Sequence, residues 1–118
     1  RATLIGSAGA GFHPTLAVDC ADLVIRKGFR PQIDSYSAFF ENDHRTPTGL
    51  AGYLRDRGMD DLAFVGLAHD FCVAWSAIDA AKLGFRATVI EEATRAIDLN
   101  GSREAAREAM RKAGVVLA

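Results

Sequence analysis

Short apolar runs alternate with amphipathic helical patterns along the second half of the chain, and this alternation restricts the fold more than any other feature. Three helical patterns each close on a glycine: 48–58, 73–84 and 102–114. The predicted strands between and after them are 61–68, 85–92 and 115–118. Such alternation predicts a single α/β domain of three layers, with a mainly parallel sheet and helices on both of its faces.

The first half of the chain is less regular. The short apolar run Ala21–Gly28, ADLVIRKG, is predicted to be a further strand. A loop follows at 30–49, in which prolines, polar residues and aromatics are mixed, and so long a connection in a compact domain is usually functional or mobile. At the other end of the chain, Ser102 is the expected N-cap of the last helix.

Composition excludes several classes of function. The 118 residues are 49% hydrophobic and 25% charged, which is typical of one ordinary globular domain. The net charge is −1 and the basic residues are scattered, so neither nucleic acid nor an anionic membrane is an expected partner. The sequence has neither a membrane-length apolar run nor a signal-peptide pattern, so we expect a cytoplasmic protein in which Cys20 and Cys72 are reduced thiols.

Cys72 lies in the stretch GLAHDFCV, where a predicted strand gives way to a helix. Ligands of open parallel sheets bind beyond the carboxyl ends of the strands, which is where this turn is expected. In the first turn of a helix, free N–H groups and the helix dipole stabilise a thiolate, and the same groups can hold a developing oxyanion. The alternative is a buried, inert cysteine, and that is the expectation for Cys20.

Three stretches carry a resemblance to a known family. FVGLAHDFCVAWSAIDAAKLGFRATVIEEATRAID is similar to the nicotinamidase branch of the isochorismatase-like cysteine hydrolases, in which G-[IL]-A-T-D-x-C-V precedes a helix, a strand and an acidic D/E-A-x-R-x-x-D stretch. GSAGAGFHPTL resembles the family's G-T-x-G-A-x-F-H-P-x-L segment. LVIRKGFRPQIDSYSAFFEND resembles the segment that holds the family's lysine and pocket loop. The resemblance covers nearly all of the chain, in the family's order.

The resemblance implies a reaction mechanism. The Cys72 thiolate would attack a carboxamide carbon, ammonia would leave, and water would release a carboxylic acid from the thioester. Lys27 matches the family's lysine, whose positive charge favours a thiolate, although a lysine at a strand end can also be an ordinary surface residue. The resemblance also places a cis peptide bond at Leu67–Ala68 and oxyanion donors at the backbone N–H groups of Ala68 and Cys72.

The same resemblance implies the substrate and the assembly. Tyr36 matches the aromatic residue that encloses a pyridine ring, although core packing would also explain it. Phe71, beside the nucleophile, could line the same pocket. The implied substrate is nicotinamide, a small molecule of NAD salvage, and the implied assembly is a homo-oligomer.

The chain departs from the family in the elements expected near its N-terminus. It has no D-x-Q-x-D-F segment, which carries the family's catalytic aspartate, and no Asp-x-His stretch of the family's metal site, while RATLI resembles the first strand. We therefore expect residues 1–118 to form an N-terminally incomplete isochorismatase-like domain. The family's divalent metal, which is zinc, iron or manganese, would lack its ligands, since His13, His44 and His69 do not have ligand spacing.

Two residues of the turn, and the activity itself, have alternative interpretations. Asp70 is expected to cap the helix N-terminus, with a surrogate base as the alternative. His69 replaces the family's threonine and is expected to be exposed, with thiolate tuning or substrate contact as alternatives. The departures allow a catalytically impaired remnant or a small-molecule-binding protein of this fold. Another isochorismatase-like amide hydrolase is the third alternative.

Overall fold

The computed structural model describes residues 6–28 and 35–118, and its regular elements lie mostly after residue 49. The strands are β1 (Asp61–Leu67), β2 (Arg86–Arg95) and β3 (Val116–Leu117). The helices are α1 (Leu50–Asp56), α2 (Ala74–Lys82) and α3 (Ser102–Lys112), with a π-helical turn at His69–Val73 directly before α2. Two short 3-10 helices, Ala8–Ala10 and Val18–Cys20, precede them.

The three strands form a parallel sheet in the order β1-β2-β3. Phe64 of β1 pairs with Val89, and Thr88 of β2 pairs with Val116. The register then shifts, because Gly66 pairs with Thr94, so two steps along β1 correspond to five along β2. The α/β class, the parallel sheet and the alternation of strands with helices are confirmed.

One face of the sheet carries the hydrophobic core. Phe64 and Val89 project from this face, next to Phe39 of the preceding loop, which is almost fully buried. The helices contribute four alanines and two larger residues to the same cluster: Ala74, Ala77, Ala80, Ala106, Leu54 and Met110. Small alanines on α2 allow that helix to approach the sheet closely. The 35–49 part of the predicted loop is therefore packed, although it has only one isolated bridge, between Phe40 and Pro47.

The opposite face of the sheet is exposed among the described residues. Val65 is 56% exposed, Leu67 is 73% exposed, and Val116 is also exposed. Side chains of a strand alternate between faces, so these residues project away from the helices. The helical cover that the sequence predicts for the second face is not provided by residues 6–28 and 35–118.

The strand predicted at Ala21–Gly28 is wrong. These residues have no regular structure, and the side chains of Leu23 and Val24 are exposed. A strand requires a neighbour to satisfy its backbone hydrogen bonds, and none of the described strands pairs with this segment. An apolar run indicates burial, but it does not show whether a second strand lies beside it to accept and donate its hydrogen bonds.

The predicted cap of α3 is also wrong. Gly101, with a φ of 83°, occupies the N-cap position, and Ser102 is the first helical residue. The Ser102 hydroxyl donates to Asp70 Oδ2 at 2.6 Å and accepts from the backbone N–H of Leu99. The Ser102 hydroxyl, which the sequence predicts to cap the helix, thus donates to a buried carboxylate instead.

None of the described helices combines the length and the apolar character of a membrane span.

The two methionines provide a test of the core. Met110 is fully buried, whereas Met59 is 45% exposed. Met110→Ala should lower the free energy of unfolding by about 2–5 kcal/mol, because it removes buried contacts and leaves a cavity. Met59→Ala is the matched control and should change it by less than about 0.5 kcal/mol. Urea denaturation measures both values, and equal losses would contradict the described core.

Candidate active site

The candidate site lies at the turn that joins β1 to α2. Gly66 has a φ of 108°, the Leu67–Ala68 peptide bond is cis, and the π-helical turn follows at once. The backbone N–H groups of Phe71 and Val73 both donate to the carbonyl of Ala68. Turns of this π-helical type occur often at functional sites. The chain thus places Cys72 just beyond the carboxyl end of a parallel strand, where ligands bind in open sheets.

Lys27 and Cys72 lie together at this turn. Lys27 Nζ is 3.7 Å from Cys72 Sγ, although the two residues are 45 positions apart in sequence. The same ammonium donates a hydrogen bond to the carbonyl of Ser35, while the Lys27 side chain remains exposed. A cation at this distance stabilises a thiolate, and exposure to water reduces the effect. The structure therefore brings together the two residues that the sequence assigns to catalysis.

The two predicted ring-binding residues also lie next to each other. The ring centroids of Tyr36 and Phe71 are 5.7 Å apart, and both side chains are half-buried. Tyr36 follows Ser35, whose carbonyl Lys27 contacts, and Phe71 directly precedes Cys72. The two rings therefore belong to residues that directly adjoin Cys72 and the Ser35 carbonyl in the chain.

A serine fixes the loop that carries Tyr36 to the helix that carries Cys72. The Ser76 hydroxyl donates to the carbonyl of Cys72 at 2.6 Å and accepts from the backbone N–H of Ala38 at 2.8 Å. A single buried side chain thus sets the distance between the loop and the nucleophile turn.

Asp70 neither caps its own helix nor is available as a base, so both sequence interpretations are wrong. Its carboxylate accepts hydrogen bonds from the backbone N–H groups of Ile97 and Asp98 and from the Ser102 hydroxyl. Burial alone would raise the pKa of this carboxyl. The Ser102 and backbone hydrogen bonds outweigh burial and lower the pKa from 3.8 to about 2. Asp70 is therefore an ionised anchor that joins the nucleophile turn to the segment before α3.

His69 is buried, and the prediction of an exposed residue is wrong. Its side chain is 2% exposed, and Nε2 lies 3.0 Å from Glu91 Oε2. The same carboxylate oxygen lies 3.1 Å from Nε of Arg107 on α3. This second attachment joins the nucleophile turn to β2 and α3.

The remaining predictions have different outcomes. Ala68 and Cys72 lie in the turn, as an oxyanion hole formed by their N–H groups requires, and that role stays a prediction. Cys20 is exposed, which contradicts the expectation of a buried structural residue. The resemblance of RATLI to a first strand falls on residues 1–5, which lie outside the described residues.

The described residues do not provide a metal site. No group of three or more histidines, cysteines, aspartates and glutamates within 6–28 and 35–118 could hold a metal ion. His13 Nδ1 lies 2.8 Å from the Thr15 hydroxyl, His44 stacks on Trp75, and His69 is paired with Glu91. A pyrazinamidase of Pyrococcus horikoshii has been solved in complex with zinc. It shares 32% identity over 60% of this chain and 39% of its own, with a TM-score of 0.56.

Several contributors to the site were not identified from the sequence. Glu91, Arg107 and Ser102 act through partners that are distant along the chain, and no local pattern indicates such pairs. Trp75 contacts Tyr36, which is also distant along the chain. The one available signal was the spacing of Phe71 and Trp75, which places them on one side of the helix.

The chain belongs to the isochorismatase domain family, which matches residues 1–118. A nicotinamidase from Acinetobacter baylyi is 54% identical over 110 residues, which cover 93% of this chain and 51% of the relative. The chain thus spans about half the length of the curated relatives it matches first. Both observations confirm the resemblance.

Solved structures agree with this assignment. A nicotinamidase and pyrazinamidase from Acinetobacter baumanii matches with a TM-score of 0.92 and 57% identity, over 95% of this chain and 54% of that one. PnC1 from L. infantum, in complex with nicotinate, matches with a TM-score of 0.90 and 43% identity. That match covers 96% of this chain and 56% of the other. The fold of the chain is that of the isochorismatase-like hydrolases.

The Asp70 anchor predicts an acid-dependent loss of stability. Because its folded-state pKa is about 2 and the ordinary value is 3.8, ionised Asp70 stabilises the fold above pH 3.8. This contribution is lost as the pH falls toward 2. Asp70→Asn should therefore cost about 2 kcal/mol of unfolding free energy at pH 7, and the difference from the parent chain should shrink between pH 4 and about 2.

Urea denaturation across this pH range measures the effect. Asp61→Asn is the control, since Asp61 forms only an exposed ion pair with Arg86 and should change stability little at any pH. An Asp70→Asn variant as stable as the parent chain at pH 7 would contradict the role of Asp70 as an anchor.

Proposed function

We propose that this protein is a nicotinamidase, a cysteine-dependent amidohydrolase that converts nicotinamide into nicotinic acid and ammonia. The observation that carries the proposal is the 3.7 Å approach of Lys27 Nζ to Cys72 Sγ at the strand-to-helix turn. It is supported by family membership and by the similarity to nicotinamidases of Acinetobacter. The L. infantum relative, solved with nicotinate, supports the pyridine carboxylic acid as product.

The proposed reaction has two halves. The Cys72 sulfur adds to the carboxamide carbon, and the carbon–nitrogen bond then breaks as ammonia leaves with the thiol proton. Water adds to the resulting thioester, and the carbon–sulfur bond breaks to give the carboxylic acid and the free thiol. Lys27 favours the thiolate before attack and the negative charge that develops afterwards. The N–H groups of Ala68 and Cys72 are the proposed donors to that developing oxyanion.

Substrate recognition is proposed to rest on the aromatic surface beside the thiol. Tyr36 and Phe71 present half-buried rings next to Cys72, and a planar pyridine ring suits such a surface. In a cell the reaction belongs to NAD salvage, and we propose a cytoplasmic homo-oligomer. The two free thiols support a reducing compartment.

The metal of the family does not fit the described residues. Zinc is bound by the Pyrococcus relative, but residues 6–28 and 35–118 offer no cluster of ligands, so no step of the reaction is assigned to a metal. We propose that any divalent metal, whether zinc, iron or manganese, would need ligands from outside these residues.

A second candidate is a binding protein of the same fold without turnover. It is favoured by one observation: Asp70, the carboxylate nearest to Cys72 in sequence, is fully engaged by Ile97, Asp98 and Ser102. A general base must therefore be another group. Binding of nicotinate without release of ammonia from nicotinamide would support this candidate. Turnover of a different carboxamide would support another amide hydrolase of the family.

Release of ammonia from nicotinamide tests the function directly. The chain should release ammonia and nicotinic acid in equal amounts, and Cys72→Ala should abolish the release because the nucleophile is lost. Cys20→Ala is the matched control and should leave the rate unchanged, since Cys20 is an exposed residue of the 3-10 helix Val18–Cys20. Turnover that survives Cys72→Ala would refute the mechanism.

Thiol labelling tests the Lys27–Cys72 pair without any turnover. On solvent exposure alone, the exposed Cys20 should be labelled faster than the half-buried Cys72. If Lys27 and the helix N-terminus stabilise the Cys72 thiolate, iodoacetamide at pH 6.5 should nevertheless label Cys72 first. Lys27→Ala should slow labelling of Cys72 severalfold, whereas Lys112→Ala, on the exposed end of α3, should not. Peptide mapping gives both rates, and faster labelling of Cys20 in the parent chain would contradict the pairing.

A further inference from the structure

Four aromatic rings form a continuous row, of which Tyr36 was assigned by resemblance and Phe71 by its place next to Cys72 in the sequence. Phe71 contacts Tyr36, with ring centroids 5.7 Å apart. Tyr36 contacts Trp75 edge-on at 5.0 Å, with an interplanar angle of 80°. Trp75 in turn stacks on His44 at 5.4 Å, with an angle of 16°. We call these four residues the aromatic row.

Trp75 is placed by the same helix as the nucleophile. Phe71 and Trp75 are four residues apart, on either side of Cys72 along one helical segment, so their rings share a side of it. Trp75 is half-buried, and its ring contacts the Tyr36 ring edge-on. Tyr36 therefore contacts two rings that are carried by the same helical segment.

The turn that carries His44 is hydrogen-bonded, and His44 stacks on Trp75. Its φ of 58° is in the left-handed region, and its backbone N–H donates to the carbonyl of Glu41 at 2.9 Å. The Asp43 carboxylate accepts from the backbone N–H groups of Arg45 and Thr46. A histidine tolerates this backbone better than most residues do, but such a conformation persists only where its surroundings impose it.

The same turn also holds the backbone of Tyr36. The N–H of Tyr36 donates to Asn42 Oδ1 at 3.0 Å. Turn 41–44 thus fixes Tyr36 twice: Asn42 holds its main chain, and His44 supports the Trp75 ring against which Tyr36 packs. Lys27 contacts the residue before Tyr36: its ammonium donates to the carbonyl of Ser35 and lies close to the Cys72 sulfur.

We propose that Trp75, supported by His44, is a specificity-determining residue that holds Tyr36 in position for a planar aromatic ring attached to the carboxamide. This inference rests on the proposed function and goes beyond it, because neither Trp75 nor His44 was assigned by resemblance. Trp75 and His44 orient the substrate ring through Tyr36 and do not contact the reacting atoms, so both are positioning residues. Aromatic carboxamides should depend on them, whereas small aliphatic carboxamides should not.

Substrate pairs separate this role from a merely structural one. Trp75→Leu should lower kcat/KM for nicotinamide by roughly three- to tenfold, mainly through KM, because one aromatic pair is lost. It should leave kcat/KM for isobutyramide, which has no ring, within about twofold of the parent chain. Trp75→Phe keeps a ring and should restore most of the nicotinamide value. His44→Asn, which tolerates the left-handed backbone, should give a smaller loss of the same kind.

Trp75 is also the only tryptophan of the chain, so its fluorescence reports on the row without turnover. Nicotinic acid should quench it saturably in the parent chain, and His44→Asn should weaken that saturation. Equal losses on both amides in Trp75→Leu would overturn the inference while the proposed function stands. Absence of turnover with saturable quenching would overturn the function and support the row as a ring-binding surface. Absence of both would overturn both proposals.

Discussion

The ionised Asp70 carboxylate is the contact on which the geometry of the site depends. It is buried at the start of the helical segment that carries Cys72, and it accepts two hydrogen bonds from the segment that precedes α3 and one from Ser102, the first residue of α3. A buried charge is tolerated only when its hydrogen bonds are satisfied, and here they are strong enough to lower its pKa despite burial. The nucleophile turn is therefore fixed to a distant part of the chain instead of resting on its own helix alone.

A second set of contacts approaches the turn from the other side. Ser76 joins the Cys72 carbonyl to the backbone of Ala38, and Lys27 joins the Cys72 sulfur to the carbonyl of Ser35. Asp70 and His69 thus hold the turn from the side of α3, whereas Ser76 and Lys27 hold it from the side of the 35–49 loop. Catalysis by a thiolate requires such fixed geometry, because a donor displaced by an ångström loses much of its effect.

The sequence predicted the positions of helices and strands better than the strand pairing and side-chain contacts around them. The strands and helices after residue 48 follow apolar periodicity, which local spacing records directly. The segment Ala21–Gly28 has the same apolar character, but no strand within residues 6–28 and 35–118 pairs with it, and a local pattern does not contain that information. His69 and Asp70 were misjudged for the same reason, since Glu91, Ile97 and Ser102 approach them only in the folded chain. Lys27 and Cys72 could be paired beforehand only through the family resemblance.

The central claim is that Cys72 becomes covalently attached to the acyl group of the substrate. Rapid acid quenching of the chain during turnover of nicotinamide, followed by mass spectrometry of its peptides, tests this most directly. The account predicts a nicotinoyl thioester on the peptide that contains Cys72 and none on the peptide that contains Cys20. Release of ammonia with no acyl group on Cys72, or an acyl group found on another residue, would contradict it.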